Sequence, residues 1–327
     1  MKSYIIAIVL SFILSLIAGF IVIPLLKKLK AGQTILKYVE EHKSKQGTPT
    51  MGGLFFILPS SIVFILLNGL SSRVSMLVLA IGIAFLCVGF FDDFIKIKTH
   101  KNEGLKPYQK IIFQGLISVF AGVFCYQNGM TVFFIPFTKS TVDLGFFTIF
   151  LVAFVFIAIT NSVNLTDGLD GLAGSVSLVY FVVIAIIMYI QTAYLNNVYL
   201  RVDEHYSIIK LCLSLIGGLI AFLCFNVNKA KVFMGDTGSL SLGAFIGAVS
   251  IFSGNTFFIP LIGIMFVLSS ISVIVQVFHY KKTKKRVFLK APLHHHFQLK
   301  GYTETQISFW YMVVTLMVGL ILCLFYI

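Results

Sequence analysis

Apolar residues in this chain come in long runs separated by short, mostly basic stretches. Ten runs can be marked, at roughly 4–26, 52–70, 74–91, 110–127, 146–161, 171–193, 207–225, 238–254, 257–280 and 307–326. Most have the length of a membrane crossing, for which about 20 apolar residues suffice. A helix is the economical way to satisfy a backbone in lipid. The runs at 146–161 and 238–254 are the shortest. Between the fourth and fifth, Thr131 to Gly145 contains Val132-Phe-Phe-Ile-Pro-Phe137, which predicts a small hairpin outside the membrane. No unit of 20–50 residues repeats, and no soluble domain interrupts the pattern. The expectation is an all-α polytopic membrane protein of about ten transmembrane helices, with residues 1–327 as one integral-membrane domain. No small-residue cleavage site precedes Pro24, so the first run reads as a retained span.

Composition agrees. Hydrophobic residues make up 58% and charged residues 11%, against roughly 25% charged in soluble domains. The five cysteines all fall in apolar runs without metal-ligand spacing and read as buried thiols. A net charge of +13 would suggest nucleic acid for a soluble protein. Here its distribution is informative instead. Twenty of the 25 Lys and Arg residues follow the first, third, seventh and ninth runs. Basic loops stay on the cytoplasmic side. The odd loops are therefore expected to be cytoplasmic, with both termini extracytoplasmic and no nucleic-acid partner.

The same assignment gathers the unusual polar clusters on one face. Asp92, Asp93, Asp167, Asp170, Asp236, Gly47 to Gly53 and His294 to His296 all fall on the cytoplasmic side. One cytoplasmic cleft built from several loops is expected. Asp92-Asp93 ends the third run, in a chain with only 12 acidic residues, and ionisable groups at membrane depth point to function. The plain alternative is the start of a polar loop. If both residues are helical they diverge by about 100°, so one should act while the other caps, binds or pairs with Lys96. Asn164-Leu-Thr-Asp167-Gly-Leu-Asp170-Gly opens the sixth run with two carboxylates, each followed by glycine. An N-cap explains one of them. Gly235-Asp236-Thr-Gly-Ser enters the eighth run and can offer a carboxylate and backbone N–H groups to a metal-bound phosphate. Phe233 could stack on a ring. Lys45-Gln-Gly-Thr-Pro-Thr50-Met-Gly-Gly53 is glycine-rich but lacks the Walker order. His294, His295 and His296 cannot all ligate one metal from a single helix or strand, and imidazoles suit phosphate and sugar hydroxyls. Carboxylates for magnesium, lysines for phosphate charge and glycine-rich turns form an inventory for phosphoryl transfer. A site at the membrane surface admits a lipid substrate.

These motifs resemble the polyprenyl-phosphate N-acetylhexosamine-1-phosphate transferases. Asp92-Asp93, Asn164-Leu-Thr-Asp-Gly-Leu-Asp-Gly and Gly235-Asp236-Thr-Gly-Ser resemble the whole superfamily. Gly47-Thr-Pro-Thr-Met-Gly-Gly53 and Pro292-Leu-His-His-His-Phe297 are similar to its muramoyl-pentapeptide branch. The resemblance implies transfer of phospho-MurNAc-pentapeptide from UDP-MurNAc-pentapeptide to undecaprenyl phosphate in the cell membrane, giving lipid I and UMP. It implies Mg2+ as cofactor, with Asp236 as ligand. Asp92 becomes the base or nucleophile, and Asp93 and His295 join the catalytic set. Lys45, Thr50 and Lys110 fall in the same site. Asn164, Asp167, Asp170, Asn226, Phe233 and Gly235 are implied on the substrate side, along with His294 and His296 at the sugar-diphosphate end. Broad apolar helix faces permit a homodimer. Two other readings compete: a sister transferase of GlcNAc-1-phosphate, and an ion-coupled transporter. The transporter predicts charge at mid-span and usually a two-fold repeat, neither of which the sequence has.

Overall fold

The computed structural model describes residues 2–29, 47–70, 72–99, 103–138, 140–194, 202–227 and 229–326. Twelve α-helices occur among them: α1 (Lys2–Lys28), α2 (Gly53–Asn68), α3 (Arg73–Thr99), α4 (Pro107–Gln127), α5 (Thr148–Thr166), α6 (Leu172–Tyr194), α7 (Val202–Asn226), α8 (Gly235–Phe252), α9 (Ile259–Ile262), α10 (Ile264–Thr283), α11 (Leu293–Leu299) and α12 (Glu304–Leu324). Nine helical segments among the described residues are long and apolar enough to cross a membrane, and α2, with 16 residues, is shorter. Each of the ten predicted runs therefore contains a helix, nine of them of spanning length among the described residues. The predicted hairpin is present as β1 (Val132–Phe134) paired antiparallel with β2 (Thr141–Asp143).

The helices sort by what they bury. From Thr237 to Phe252 every residue of α8 is buried, so α8 is the axis of the bundle. It packs along α3 at very close range. A side chain at Gly89 would collide with the Asp236 backbone, and Ser241 Oγ donates to the Gly82 carbonyl at 2.8 Å. By contrast, α1 turns its small residues Ala7, Ser11, Ser15 and Gly19 inward and exposes Ile5, Val9, Ile13 and Phe20. Without a hydrophobic drive between helices in lipid, small residues that allow close backbone approach belong at the contact.

Several boundaries differ from the sequence expectation. The third run was expected to end at Phe91, but α3 continues to Thr99. Asp92 and Asp93 are thus helical. Lys96 neutralises them from one turn on, and Lys96 and Lys98 complement the helix C-terminus. Asn164 lies in the last turn of α5 rather than opening the sixth span, and Asp167 is the α5 C-cap. The ninth run starts as a 3-10 turn (Thr256–Phe258) and the short α9 before α10 begins at Ile264. The histidines sit on a separate helix, α11. Cys125, Cys212 and Cys323 are buried, but Cys87 and Cys224 are exposed, because they lie on outward faces of apolar helices.

Candidate active site

The connections after α1, α3, α5, α7 and α10 meet at one end of the bundle. Phe233 N–H donates to the Pro49 carbonyl at 2.8 Å, and Gly52 N–H donates to the Phe233 carbonyl at 2.9 Å. Ala230 N–H donates to Asp170 Oδ2 at 2.9 Å. Any side chain at Gly168 would strike the His294 ring. Far-apart motifs are in this way tied into a single surface.

At its centre lie Asp92, Asp93 and Asp236. One oxygen from each falls within 4.8 Å of the others. The expectation that Asp92 and Asp93 could not face one point needs correction. Asp236, in the first turn of α8, has a carboxylate oxygen close to one from each of them. The two still differ. Asp93 Oδ2 accepts from Thr237 N–H at 2.9 Å and Thr237 Oγ1 at 2.7 Å. It therefore caps α8 from a neighbouring helix, where a negative charge is favoured. Its distance to Lys96 Nζ is a longer 3.7 Å. Asp92 is only 1% exposed and faces cations: Lys96 Nζ lies 2.5 Å from Oδ2 and Lys110 Nζ 3.3 Å from Oδ1.

Asp236 is the most heavily shared group. Lys110 donates to its Oδ2 at 2.6 Å and Lys96 at 3.1 Å. Asn164 Nδ2 donates to its Oδ1 at 2.7 Å and to Ser239 Oγ at 2.8 Å. Gly235 adopts φ +69, and a side chain there would meet Asp93 Oδ2 and Thr50 Oγ1. Gly235 thus admits the carboxylate and Thr50 to the centre. Asp167 is half-buried nearby. Burial first, and then the charges of Asp236, Asp93 and Asp170, push its carboxyl up to about 8.

Other predicted residues stand farther out. Asn226 accepts from Gly171 N–H at 2.9 Å and donates to the Val232 carbonyl at 2.8 Å. Asp170 is buried, and its N–H donates to Glu304 at 2.9 Å. Both brace the loops in these contacts. Phe233 is half-buried beside the Pro49 segment. His294 is fully buried, with neither ring nitrogen hydrogen-bonded among the described residues. Burial, then His295 and Lys290, lower its pKa to about 3. His295 Nδ1 lies 3.0 Å from Gln298 Oε1, and His296 Nδ1 accepts from Leu289 N–H at 3.2 Å. Lys45 lies outside the described residues.

Sequence reasoning gave Lys96 only a supporting part, although its spacing from the acid pair was the available signal. It missed the Leu105 N–H, which donates to Asp92 Oδ1 at 2.9 Å, and Thr237 as the partner of Asp93.

Carboxylates and ammonium groups massed at one end of a bundle of membrane-spanning helices define a membrane-embedded enzyme handling anionic substrates. Residues 75–254 match the model of "Glycosyl transferase family 4", a class consistent with that chemistry. Residues 45–57 match "Phospho-N-acetylmuramoyl-pentapeptide-transferase signature 1". The chain is 43% identical over 310 residues to the phospho-N-acetylmuramoyl-pentapeptide-transferase of Clostridium perfringens (strain 13 / Type A), covering 94% of each chain. It is 39% identical over 324 residues to that of Clostridium novyi (strain NT), covering 98% of this chain and 96% of the relative. The chain belongs to the phospho-N-acetylmuramoyl-pentapeptide-transferase family.

Proposed function

We propose that this protein transfers phospho-MurNAc-pentapeptide from UDP-MurNAc-pentapeptide to undecaprenyl phosphate in the bacterial cell membrane. The products are lipid I and UMP, and the reaction is the membrane step of peptidoglycan synthesis. The observation that carries this reading is the Asp92–Lys96–Lys110–Asp236 cluster, in a chain so similar to named transferases. The whole chain acts as one domain. The lysine-rich loops support a cytoplasmic position for the cluster, with both termini outside.

The residues present fit a magnesium ion. Three carboxylates offering oxygens within 4.8 Å of one another form a hard-oxygen donor set suited to Mg2+. Asp236 is the leading ligand, with Asp92 and Asp93 beside it. Bound there, magnesium supplies positive charge to the diphosphate. Lys96 and Lys110 already bring two ammonium groups to the same place and are free to turn to substrate phosphates as these arrive. Asp92 takes the last proton from the lipid phosphate. A phosphate oxygen then attacks the phosphorus that bears the sugar. Its bond to the bridging oxygen breaks, and UMP departs with the electron pair. Positioning and charge do most of the work in such transfers. Asn164 fixes Asp236, and Thr50, Asp167, Phe233, His295 and His296 line the approach of the UDP-linked substrate, with His294 buried beneath them.

UMP release tests the reading. The enzyme should liberate UMP from UDP-MurNAc-pentapeptide with undecaprenyl phosphate, and should stop when magnesium is withheld. Release from UDP-GlcNAc alone would assign it to the sister reaction. Direct displacement predicts no phosphorylated protein when the UDP substrate is added without lipid. A trapped phospho-aspartate at Asp92 would establish the two-step route instead.

A further inference from the structure

The two oxygens of Asp92 have different surroundings. Oδ2 faces a side chain that can move away, the Lys96 ammonium at 2.5 Å; the Lys96 side chain is 30% exposed. Oδ1 is held by the backbone, through the Leu105 N–H at 2.9 Å, with Lys110 Nζ at 3.3 Å. That backbone comes so close because residue 104 is glycine. A Cβ at Gly104 would lie 2.6 Å from Asp92 Oδ1, 2.7 Å from its Cγ and 2.8 Å from its carbonyl oxygen. Real Cβ atoms do not approach so near, and the Asp92 carboxylate sits in a buried, fixed place. The segment is anchored immediately downstream. Lys106 N–H donates to Gln109 Oε1 at 3.0 Å, and Lys110 N–H to the Lys106 carbonyl at 3.1 Å. Pro107 starts α4, so the first turn that fixes Leu105 also carries Lys110.

We propose that Gly104 is a positioning residue for the transfer reaction. It lets the 103–106 segment close on Asp92, so that the Leu105 N–H immobilises Oδ1 and leaves Oδ2 as the working oxygen. The proposal rests on the function given above. A fixed backbone donor orients the carboxylate without costing rotamer freedom during turnover, which is how preorganised sites gain rate.

Gly104→Ala in the full-length, detergent-purified enzyme tests it. Turnover (kcat for UMP release) should fall about tenfold or more, while KM for UDP-MurNAc-pentapeptide stays within about twofold and thermal stability is kept. Gly115→Ala is the control, since a Cβ there meets nothing within 4 Å; it should turn over as the wild type does. A second variant adds no atoms in the way. Replacing Leu105 by its α-hydroxy analogue converts the N–H into an ester oxygen, removing the donor to Asp92 without adding bulk. It should also lose about tenfold in kcat. Wild-type turnover in either variant overturns the proposal, as does a loss of nucleotide affinity that matches the loss of rate. A wild-type enzyme that releases no UMP would instead overturn the functional reading.

Discussion

At the end of the bundle away from the carboxylates, Gln191 and Asn255 exchange two hydrogen bonds, at 2.8 and 3.0 Å. Nearby, the Tyr180 and Ser250 hydroxyls pair at 2.7 Å. These groups are buried and neutral, and each has its partners, Asn255 Nδ2 donating to Ser253 as well. At the other end, three carboxylates share two lysines, Asp236 has contacts to Lys96, Lys110 and Asn164, and His294 is buried with no hydrogen bond among the described residues. Both ends are polar inside an apolar bundle, so polarity alone does not mark a site. What differs is stoichiometry. Neutral pairs that saturate each other lock helices together. Charges that outnumber their partners cost energy to assemble and are best explained by a ligand that completes them.

Changes at the shared charges should therefore have the largest effect. Asp92→Asn and Asp236→Asn should each reduce UMP release about a hundredfold or more while leaving the melting temperature nearly unchanged. Near-normal turnover in either would remove that residue from the chemistry. Asp93→Asn should cost less, about tenfold, because an amide oxygen can still accept from Thr237 and keep α8 capped. Comparing Asp93→Asn with Asp93→Ala by melting temperature separates the cap from the charge: only Ala should lose about 1–3 kcal/mol of stability.

Much of this contrast was legible in the sequence. The lysine distribution placed every unusual polar cluster on one face, and the loops carrying them do converge at one end. The acid pair was found because carboxylates are rare here. Its setting was misread, since the fall in hydropathy after Phe91 looks the same whether a helix ends or continues under lysine pairing. Asp170 and Asn226 resembled ligand groups. Their observed bonds brace loops through Ala230, Gly171 and Val232, partners that only folding supplies. The Leu105 N–H carries no sequence signature, because every residue but proline has one. At the opposite end, Gln191 and Asn255 gave no signal, being 64 residues apart.

That neutral pair offers the next test. Gln191→Leu should lose about 1–2 kcal/mol of stability by leaving Asn255 Oδ1 without its donor, while Asn255 Nδ2 keeps its bonds to Ser253, with kcat for UMP release unchanged. Leucine at both positions should be less destabilising than the sum of the two single changes, since removing both partners avoids a stranded group. A fall in kcat without a fall in melting temperature would break the division between the two ends.

The smallest effect expected is at His294. Its pKa lies at about 3 in the fold, lowered mainly by burial, against about 6.5 in an unfolded chain. Above pH 6.5 the ring is neutral in both states and its contribution to stability is complete. As pH falls below 6.5 the unfolded chain takes up a proton that the folded one refuses, so stability declines until the folded pKa is reached. Between pH 8 and pH 6 the loss amounts to about 1 kcal/mol. His294→Gln has no such proton to take up. Thermal melts at the two pH values should show a smaller drop for the variant than for the wild type. An equal drop would mean that the buried ring already has a partner that accepts its charge, and would take His294 out of the group of uncompensated polar residues that sets this end of the bundle apart.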